Sequence, residues 1–342
     1  MSRNETASKS TENASELKVV ERGDGYFKVQ HRSNGNICTI MDTFAEMFPM
    51  WLGRILITAE SSKWALTAAR AATGFATSII GSPAECGIER AVGPKKTPDG
   101  RTGVVIQVYQ RLRRELRSQM LSRIGQCVLT CPTTAAFDAL ERSPRRVKVG
   151  KSLRYFGDGF ERRDVVGGRV VWRIPVMDGE FVVEERFGVR RGVAGGNLLI
   201  LAEGGDDGLK AAEEAAKAIR RVVGVILPFP GGVCRSGTKV GSMKYKLPAS
   251  TNHPFCPSLR EWVPNSMVPE GVNCVYELVI DGVNLKQVKK AMALGIEAAS
   301  GVKGVVKITA ANYGGRLGPY RAHLKEILDL TPSNSDPKYA LG

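Results

Sequence analysis

The stretch NLLILAEGGDDGLKAAEEAAKAIRRVVGVILPF, residues 197–229, decides the fold. Its apolar run at 197–202 predicts a β-strand. The Ala-rich segment 209–222 predicts a helix, because small apolar residues recur there at helical spacing. A second apolar strand is predicted at 224–229. The stretch is therefore read as one βαβ unit.

The same order of elements is predicted at three more places. These strand, helix and strand units cover residues 52–59, 61–73 and 76–80; 103–110, 111–124 and 126–130; and 275–280, 285–300 and 305–309. Two βαβ-βαβ pairs in one chain indicate an internal duplication. We expect an α+β fold of two ferredoxin-like (split βαβ) lobes, each a sheet covered on one face by two helices.

The chain divides into four predicted segments. Residues 1–36 are polar and charge-mixed, and we expect a mostly mobile N-terminal extension. Residues 37–178 are predicted to form the first ferredoxin-like lobe and 179–330 the second, joined by an antiparallel excursion over 147–187. Residues 331–342 carry two prolines and small polar residues, which predicts a frayed C-terminal tail.

Composition is typical of a cytoplasmic globular protein. The 342 residues are 43% hydrophobic, enough for a sizeable core. No run of 18 apolar residues occurs, and the polar start lacks the apolar core of a secretory signal, so we expect neither a membrane span nor secretion. The seven cysteines are odd in number and widely spread, which in a reducing compartment indicates buried thiols.

Basic side chains outnumber acidic ones by 49 to 34, giving a formal net charge of +15. They concentrate in three clusters: Arg111, Arg113, Arg114, Arg117 and Arg123; Arg142, Arg145, Arg146, Lys148, Lys151 and Arg154; and Arg162, Arg163, Arg169 and Arg173. Such a field attracts polyanions, although a solvated basic face explains the same residues. RNA binding needs aromatic residues on the sheet, and the strands predicted at 103–110 and 126–130 contain a single aromatic residue, Tyr109. Nucleic acid is therefore not favoured.

Residue patterns typical of metals and phosphate cofactors are scarce. The chain has three histidines, His31, His253 and His323, so neither a histidine metal site nor a Ser-His-Asp triad is favoured. No GxxxxGK[ST] motif occurs, which excludes a P-loop. The glycine-rich stretches 192–197 and 230–237 are more typical of tight turns than of phosphate cradles. We expect no metal and no tightly bound cofactor.

One carboxylate is placed unusually. Glu277 lies in the middle of the apolar strand predicted at 275–280, so it either faces solvent or is buried with a raised pKa. Its position alone does not decide between the two. Asn197 opens a strand after paired glycines, where a ligand can approach the backbone closely.

A set of longer motifs resembles one family throughout residues 40–328. In the first half these are DTFAEMFPMW (42–51), KWA (63–65), ATGF (72–75), SPAECGIE (82–89), KTPDGR (96–101), GQCVLTCPTTA (125–135) and FGDG (156–159). In the second half they are GVAGGN (192–197), PFPGG (228–232), TNH (251–253), VYE (275–277), DG (281–282), ITA (308–310) and NYGG (312–315). Together they resemble the formylmethanofuran–tetrahydromethanopterin formyltransferases.

The resemblance implies a cofactor-free acyltransferase with two ferredoxin-like lobes that assembles as a homotetramer. It would move a formyl group between the amine of methanofuran and a ring nitrogen of tetrahydromethanopterin, its two substrates. In formaldehyde-oxidising bacteria a related subunit works in a formyltransferase/hydrolase complex that releases formate, and the N-terminal extension indicates this type. The basic clusters would hold the polyanionic tail of methanofuran.

The resemblance also implies the site residues. Glu277 would act at the formyl group, either as an acid towards the oxyanion of the tetrahedral intermediate or as a base towards the attacking amine. The candidate substrate-binding residues are Thr251, Asn252, His253, Asn197, Gly231 and Gly232. A catalytically silent subunit that only holds cofactor for a hydrolase is the alternative, and polyanion or RNA binding is a third.

Overall fold

The computed structural model describes residues 16–140 and 142–329. The strands in these ranges are β1 Leu17–Gly23, β2 Tyr26–His31, β3 Ile37–Met41, β4 Phe44–Ala59, β5 Glu85–Val92, β6 Thr102–Gln110, β7 Ala135–Asp138, β8 Arg146–Val147, β9 Arg162–Val166, β10 Arg169–Val176, β11 Gly179–Glu184, β12 Phe187–Ala202, β13 Val225–Ile226, β14 Thr238–Val240, β15 Ala249–Thr251, β16 Cys274–Gly282, β17 Val305–Thr309 and β18 Tyr320–His323. The helices are α1 Ser62–Thr73, α2 Arg113–Arg123, α3 Gly150–Leu153, α4 Gly205–Ile219, α5 Leu285–Ser300 and α6 Leu324–Ile327. None of these helices has the length and apolar character needed to cross a membrane.

The second half of the chain has the predicted order of elements, although β12 begins at Phe187 and so contains Asn197 in its interior, and β13 is only two residues long. Its strands pair antiparallel in the order β13, β16, β12 and β17, which places the first and third strands of the unit at the centre. Helices α4 and α5 pack on one face over a core that includes Leu198, Ile200 and Leu278. This strand order is that of a ferredoxin-like lobe, so the predicted fold is confirmed here.

The first half repeats the arrangement. Its strands pair in the order β5, β6, β4 and β7, with α1 and α2 packed on one face over Ile55, Ile57 and Ile106. The first strands of the two units, β4 and β12, are both 16 residues long and pair antiparallel with each other at Trp51 and Arg191. One continuous sheet therefore joins the two lobes.

The strand predicted at residues 76–80 is wrong. These residues form turns, in which the Ser78 carbonyl accepts hydrogen bonds from the N–H groups of Gly81 at 3.1 Å and Ser82 at 2.8 Å. The second strand of the unit is β5 instead. Its charged residues Glu85 and Glu89 are buried among partners from other elements, which local apolar patterning does not reveal.

The strand predicted at residues 126–130 is also wrong. Helix α2 continues into a π-helical turn over Ile124–Val128, in which the Leu129 N–H donates to the Ile124 carbonyl at 2.8 Å. Ile124 and Val128 face the helix-side core, so burial on a helix produced the apolar signal that resembled a strand. The closing strand of the unit is β7.

The N-terminal segment is more ordered than predicted. Strands β1 and β2 form an antiparallel hairpin that continues onto β3, and β3 pairs parallel with β17. Leu17, Phe27 and Val29 are buried in the core of the second lobe, which explains why the segment is held. Residues 1–15 and the predicted tail at 331–342 lie outside the described residues.

The excursion between the lobes is antiparallel, as predicted. Strands β9, β10 and β11 pair in sequence, and β11 adds parallel to β7 at the edge of the first lobe. Val166, Val171 and Val182 from these strands pack with Leu56 and Val105 on the face of the first sheet that lies away from the helices. This face of the first sheet is therefore buried under an apolar cluster. The lobe boundaries at residues 36/37, 178/179 and 330/331 stay a prediction.

Candidate active site

A cavity of about 660 Å³ collects residues from both halves of the chain. It lies against the helix-free face of the second sheet. The lining residues are Glu46, Phe48, Pro49, Ser78, Ile79, Ile80, Glu85, Arg111, Gly195, Asn197, Phe229, Thr238, Val240, Pro248, Glu277, Val279, Ala311, Tyr313 and Leu317. Apolar walls with a few converging polar groups are typical of a ligand site.

Glu277 projects from strand β16 into this cavity. Its strand neighbours Leu278 and Ile280 point to the helix-side core, so the alternation of side chains along a strand sends Glu277 to the opposite face. Its backbone is fixed on both edges, by pairing with Leu199 of β12 and by two hydrogen bonds with Cys234 at 2.7 and 3.1 Å. The strand thus presents the carboxyl group in a defined position.

The surroundings of Glu277 make its carboxyl a weak acid. Burial raises its pKa from 4.5 to about 7, against a smaller lowering by a hydrogen bond with the Cys234 side chain. Of the two possibilities that the sequence left open, the structure favours a desolvated carboxyl at a cavity. Protonated and ionised forms then coexist near neutral pH, which suits a group that gives and takes a proton.

Asn197 lines the cavity but its amide is occupied. Its Oδ1 accepts the Ala311 N–H at 2.6 Å, and its Nδ2 donates to the carbonyl oxygens of Ala311 at 3.1 Å and Gly195 at 3.2 Å. These bonds tie the chain after β17 to strand β12. Asn197 therefore shapes the wall of the cavity.

On another side of the cavity, the carboxylate of Glu46 holds the loop formed by residues 313–318. Its two carboxylate oxygens accept the N–H groups of Tyr313 at 2.8 Å, Gly315 at 3.2 Å, Gly318 at 2.8 Å and Leu317. Burial alone would raise the pKa of Glu46, but these four donors outweigh it and lower the pKa. The ionised carboxylate holds the loop that carries two lining residues.

The other predicted binding residues do not line the cavity. Thr251, Asn252 and His253 lie at the end of β15 and in the turn after it; β15 pairs with β14, whose Thr238 does line the cavity. Gly231 and Gly232 form a turn directly after the lining residue Phe229, with φ of 63° and 89° that favour glycine. Both segments flank the cavity through their neighbours.

Sequence reasoning missed two carboxyl groups of the cavity and one behind them, and it placed Arg111 only in a basic cluster. Glu46, Glu85 and Arg111 line the cavity, and Asp281 lies behind its wall in contact with Glu85. Glu46, Glu85 and Asp281 stand in motifs that carry the family resemblance, but nothing in the local sequence assigns them a role. In the described ranges, no group of three His, Cys, Asp or Glu side chains is arranged to hold a metal ion.

Comparison with known proteins identifies the family. Residues 34–176 match the family model of formylmethanofuran-tetrahydromethanopterin formyltransferase, and residues 179–327 match that of its proximal lobe. The chain is 55% identical over 294 residues to the formylmethanofuran–tetrahydromethanopterin formyltransferase of Methanocaldococcus jannaschii, covering 85% of this chain and 98% of that protein. It is 52% identical over 289 residues to the enzyme of Methanothermus fervidus, covering 84% and 97%.

Two solved structures share the fold. The formyltransferase of Methanosarcina barkeri superposes with a TM-score of 0.82 at 48% identity, covering 84% of this chain and 97% of that one. The formyltransferase/hydrolase complex of Methylorubrum extorquens, solved with methylofuran, contains a chain with a TM-score of 0.82 at 43% identity, covering 85% and 97%. The strand order, the cavity and these matches agree: the chain belongs to the formylmethanofuran–tetrahydromethanopterin formyltransferase family.

Proposed function

We propose that the cavity beside Glu277 is the place where this chain performs its reaction. The chain is a formyltransferase that moves a formyl group between methanofuran and tetrahydromethanopterin. The observation that carries the assignment of the site is a single carboxyl with a pKa near 7, held on a fixed strand at the cavity wall.

The reaction needs little from the protein beyond placement and one proton-handling group. The attacking nitrogen adds to the formyl carbon, giving a tetrahedral intermediate with a negatively charged oxygen. The intermediate collapses as the carbon–nitrogen bond to the donor breaks, and the departing nitrogen takes a proton. Holding both substrates in one cavity makes the addition effectively unimolecular.

Glu277 serves this sequence in either protonation state. As a neutral acid it donates a hydrogen bond to the oxyanion and can pass its proton to the departing nitrogen. As a carboxylate it takes the proton of the attacking amine. A pKa of about 7 keeps both forms populated, so one residue can act in both directions of transfer.

The flanking residues are proposed to bind the substrates without touching the formyl carbon. Asn197 sets the cavity wall, while Thr251, Asn252 and His253 adjoin the rim through the β14–β15 hairpin. Gly231 and Gly232 turn the chain beside Phe229. This placement supports contacts to the outer parts of the two carriers.

A second cavity, of about 690 Å³, is proposed to receive the polyanionic tail of methanofuran. We call it the basic bowl; its cations are Arg113, Arg114, Arg117, Arg146, Lys148 and Lys151. Arg111 of the reaction cavity precedes Arg113 by two residues, which limits their Cα atoms to about 7 Å apart. Affinity for whole methanofuran that falls with salt, while that for a tail-less analogue does not, would support the bowl.

The assembly is proposed from the relatives. Similarity to a chain of the Methylorubrum extorquens formyltransferase/hydrolase complex supports work as a bacterial-type subunit alongside other subunits. A homotetrameric core is a further proposal, which rests on the family resemblance alone. The seven cysteines are all free thiols, which supports a reducing, cytoplasmic location.

The test is formyl transfer between the two purified cofactors, followed by the absorbance of the pterin. Glu277→Gln keeps the size of the side chain but cannot exchange a proton. We expect kcat to fall roughly 10²- to 10⁴-fold, with substrate affinity nearly unchanged.

The matched control is Glu213→Gln, at an exposed position of helix α4. It should retain full turnover. If Glu277→Gln turns over as fast as wild type, the assignment is wrong. If wild type binds both cofactors without turnover, the chain is the silent subunit considered above.

A further inference from the structure

Two buried carboxyl groups, Glu85 of β5 and Asp281 of β16, meet where the lobes join. Glu85 is 4% exposed and lines the reaction cavity, and Asp281 is fully buried behind it. The two side chains lie within hydrogen-bonding range of each other. Each lobe thus contributes one acid to a single pair, which the transfer mechanism above does not use.

Each carboxyl has one oxygen with a donor and one without. Oε1 of Glu85 accepts the Ile79 N–H at 2.9 Å, and Oδ1 of Asp281 accepts the Gly195 N–H at 3.2 Å. The remaining oxygens, Oε2 of Glu85 and Oδ2 of Asp281, are buried and meet no donor among the described residues. Since two carboxylates offer acceptors only, one proton between them is what satisfies both oxygens.

The electrostatic surroundings favour keeping that proton. Burial raises the pKa of Glu85, and burial followed by the charge of Glu85 raises the pKa of Asp281 well above its ordinary value. Two like charges in one dry site do not both ionise readily. Arg111 acts on Glu85, and Tyr109 is influenced by both members of the pair as well as by Glu89 and Arg54. Glu46 and Glu277 share the cavity with Glu85.

The contacts of the pair extend to both walls of the cavity. Through Ile79, Glu85 holds the 78–80 loop, all three residues of which line the cavity. Through Gly195, Asp281 holds strand β12 two residues before Asn197. Gly195 has φ of +89°, so its N–H is aimed at Asp281 by a backbone conformation that favours glycine.

We propose that Glu85 and Asp281 share one proton and act as positioning residues, a clasp that keeps the two cavity walls at the separation that the substrates need. The inference rests on the assignment of the cavity as the reaction site. Loss of the shared proton at alkaline pH leaves two facing carboxylates, which repel each other and move the walls apart. Substrate binding then weakens while the fold persists.

Amide variants test the clasp with matched geometry. Glu85→Gln and Asp281→Asn each keep the oxygen that accepts the backbone N–H and supply a side-chain N–H in place of the shared proton. The double variant sets two NH₂ groups against each other, because both carbonyl oxygens are already engaged. A pair that only stabilises the fold would lower the melting temperature of the double variant and leave its affinity for substrate unchanged, whereas two groups that do not interact would give additive effects.

The measurement is the dissociation constant of tetrahydromethanopterin by calorimetry, from neutral to alkaline pH, with kcat and KM of transfer alongside. We expect wild-type affinity to fall at alkaline pH and each single variant to lack this fall, staying within roughly threefold of wild type at neutral pH. The double variant should bind roughly tenfold more weakly than the product of the single effects predicts. Thermal melting monitors folding.

Additive single and double effects, or an alkaline fall that the single variants keep, would overturn the clasp. If the double variant does not fold, the pH dependence of the single variants still decides. Binding of tetrahydromethanopterin does not require proton transfer by Glu277. Full turnover by Glu277→Gln would therefore remove the proposed function while leaving the outcome for the clasp readable.

Discussion

The two lobes have equivalent sheets whose outer faces differ in character. Leu56 pairs with Val105 in the first lobe, three residues from the pair Ala59–Thr102 that ends the β4–β6 ladder. Leu199 pairs with Glu277 in the second lobe, three residues from the corresponding end of the β12–β16 ladder. The position that holds a 2% exposed valine in one lobe thus holds the cavity carboxyl in the other.

The difference comes from what covers each sheet. Strands β9–β11 lie over the outer face of the first sheet and bury Val105 with Val171. In the second lobe, Val268 and Val272, from the segment 233–273 that precedes β16, cover Leu199 and leave the sheet open beside Glu277. The duplication gives two equivalent sheets. The segments packed on the helix-free face of each sheet decide whether a cavity forms there.

The largest effect is expected when a carboxyl is placed on the covered face of the first sheet, at the position equivalent to Glu277. Val105→Glu places an unpaired acid in the buried apolar cluster that Val105 shares with Val171 of β10. We expect the free energy of unfolding at neutral pH to fall by about 3–5 kcal/mol, measured by urea titration. Val165→Glu, at a position 61% exposed on β9, is the control and should change stability little. Equal losses for both variants would contradict the contrast.

The reverse change, Glu277→Val, gives the second lobe the residue type that Val105 provides at the equivalent position of the first. The folded pKa of Glu277 lies above its ordinary 4.5, so ionisation weakens the fold as pH rises from 4.5 to about 7. Glu277→Val should remove turnover and, above pH 7, raise the free energy of unfolding by up to about 3 kcal/mol. The gain should be much smaller below pH 4.5. A gain that is independent of pH would show that packing, rather than the carboxyl, is responsible.

A smaller effect is expected at Glu46, which corresponds along β4 to Val189 of β12 when the two ladders are aligned. The pKa of Glu46 is lowered, so its carboxylate stabilises the fold above the unfolded pKa of about 4.5 and loses that effect as pH falls. Glu46→Gln leaves one oxygen for four N–H donors and should cost about 2 kcal/mol at neutral pH by urea titration.

The control for that variant is Glu326→Gln, at an exposed position of α6. The difference between Glu46→Gln and wild type should shrink in acid. A difference that persists at low pH would mean that the loop is not held by the charge of Glu46.

Elements with strong local patterns were predictable from the sequence. Helix α5 and strand β17 begin and end at the predicted residues, because each combines a periodic apolar face with a clear start and stop. Strand β5 was not predictable, since Glu85 and Glu89 are buried only because distant residues satisfy them. The N-terminal hairpin escaped prediction for a similar reason: its buried positions are created by a core assembled 160 or more residues later.

The site was predictable in part. The sequence singled out Glu277 and left its face undecided, because a mid-strand carboxylate is compatible with solvent or with burial. In the structure, the environment of Glu277 is determined by how the segment 233–273 covers the sheet. The sequence of strand β16 alone does not contain that information. Glu85 and Asp281 gave no signal, since only the contact between the lobes makes them a pair.

We expect formyl transfer to depend on the titration of one carboxyl, that of Glu277 on the open face of the second sheet. The most direct measurement is the pH profile of kcat for wild type and Glu277→Gln. Wild type should show an inflection near pH 7, falling above it if the acid form acts and below it if the carboxylate acts. Glu277→Gln should lack the inflection. A flat wild-type profile, or the same inflection in the variant, would contradict the claim.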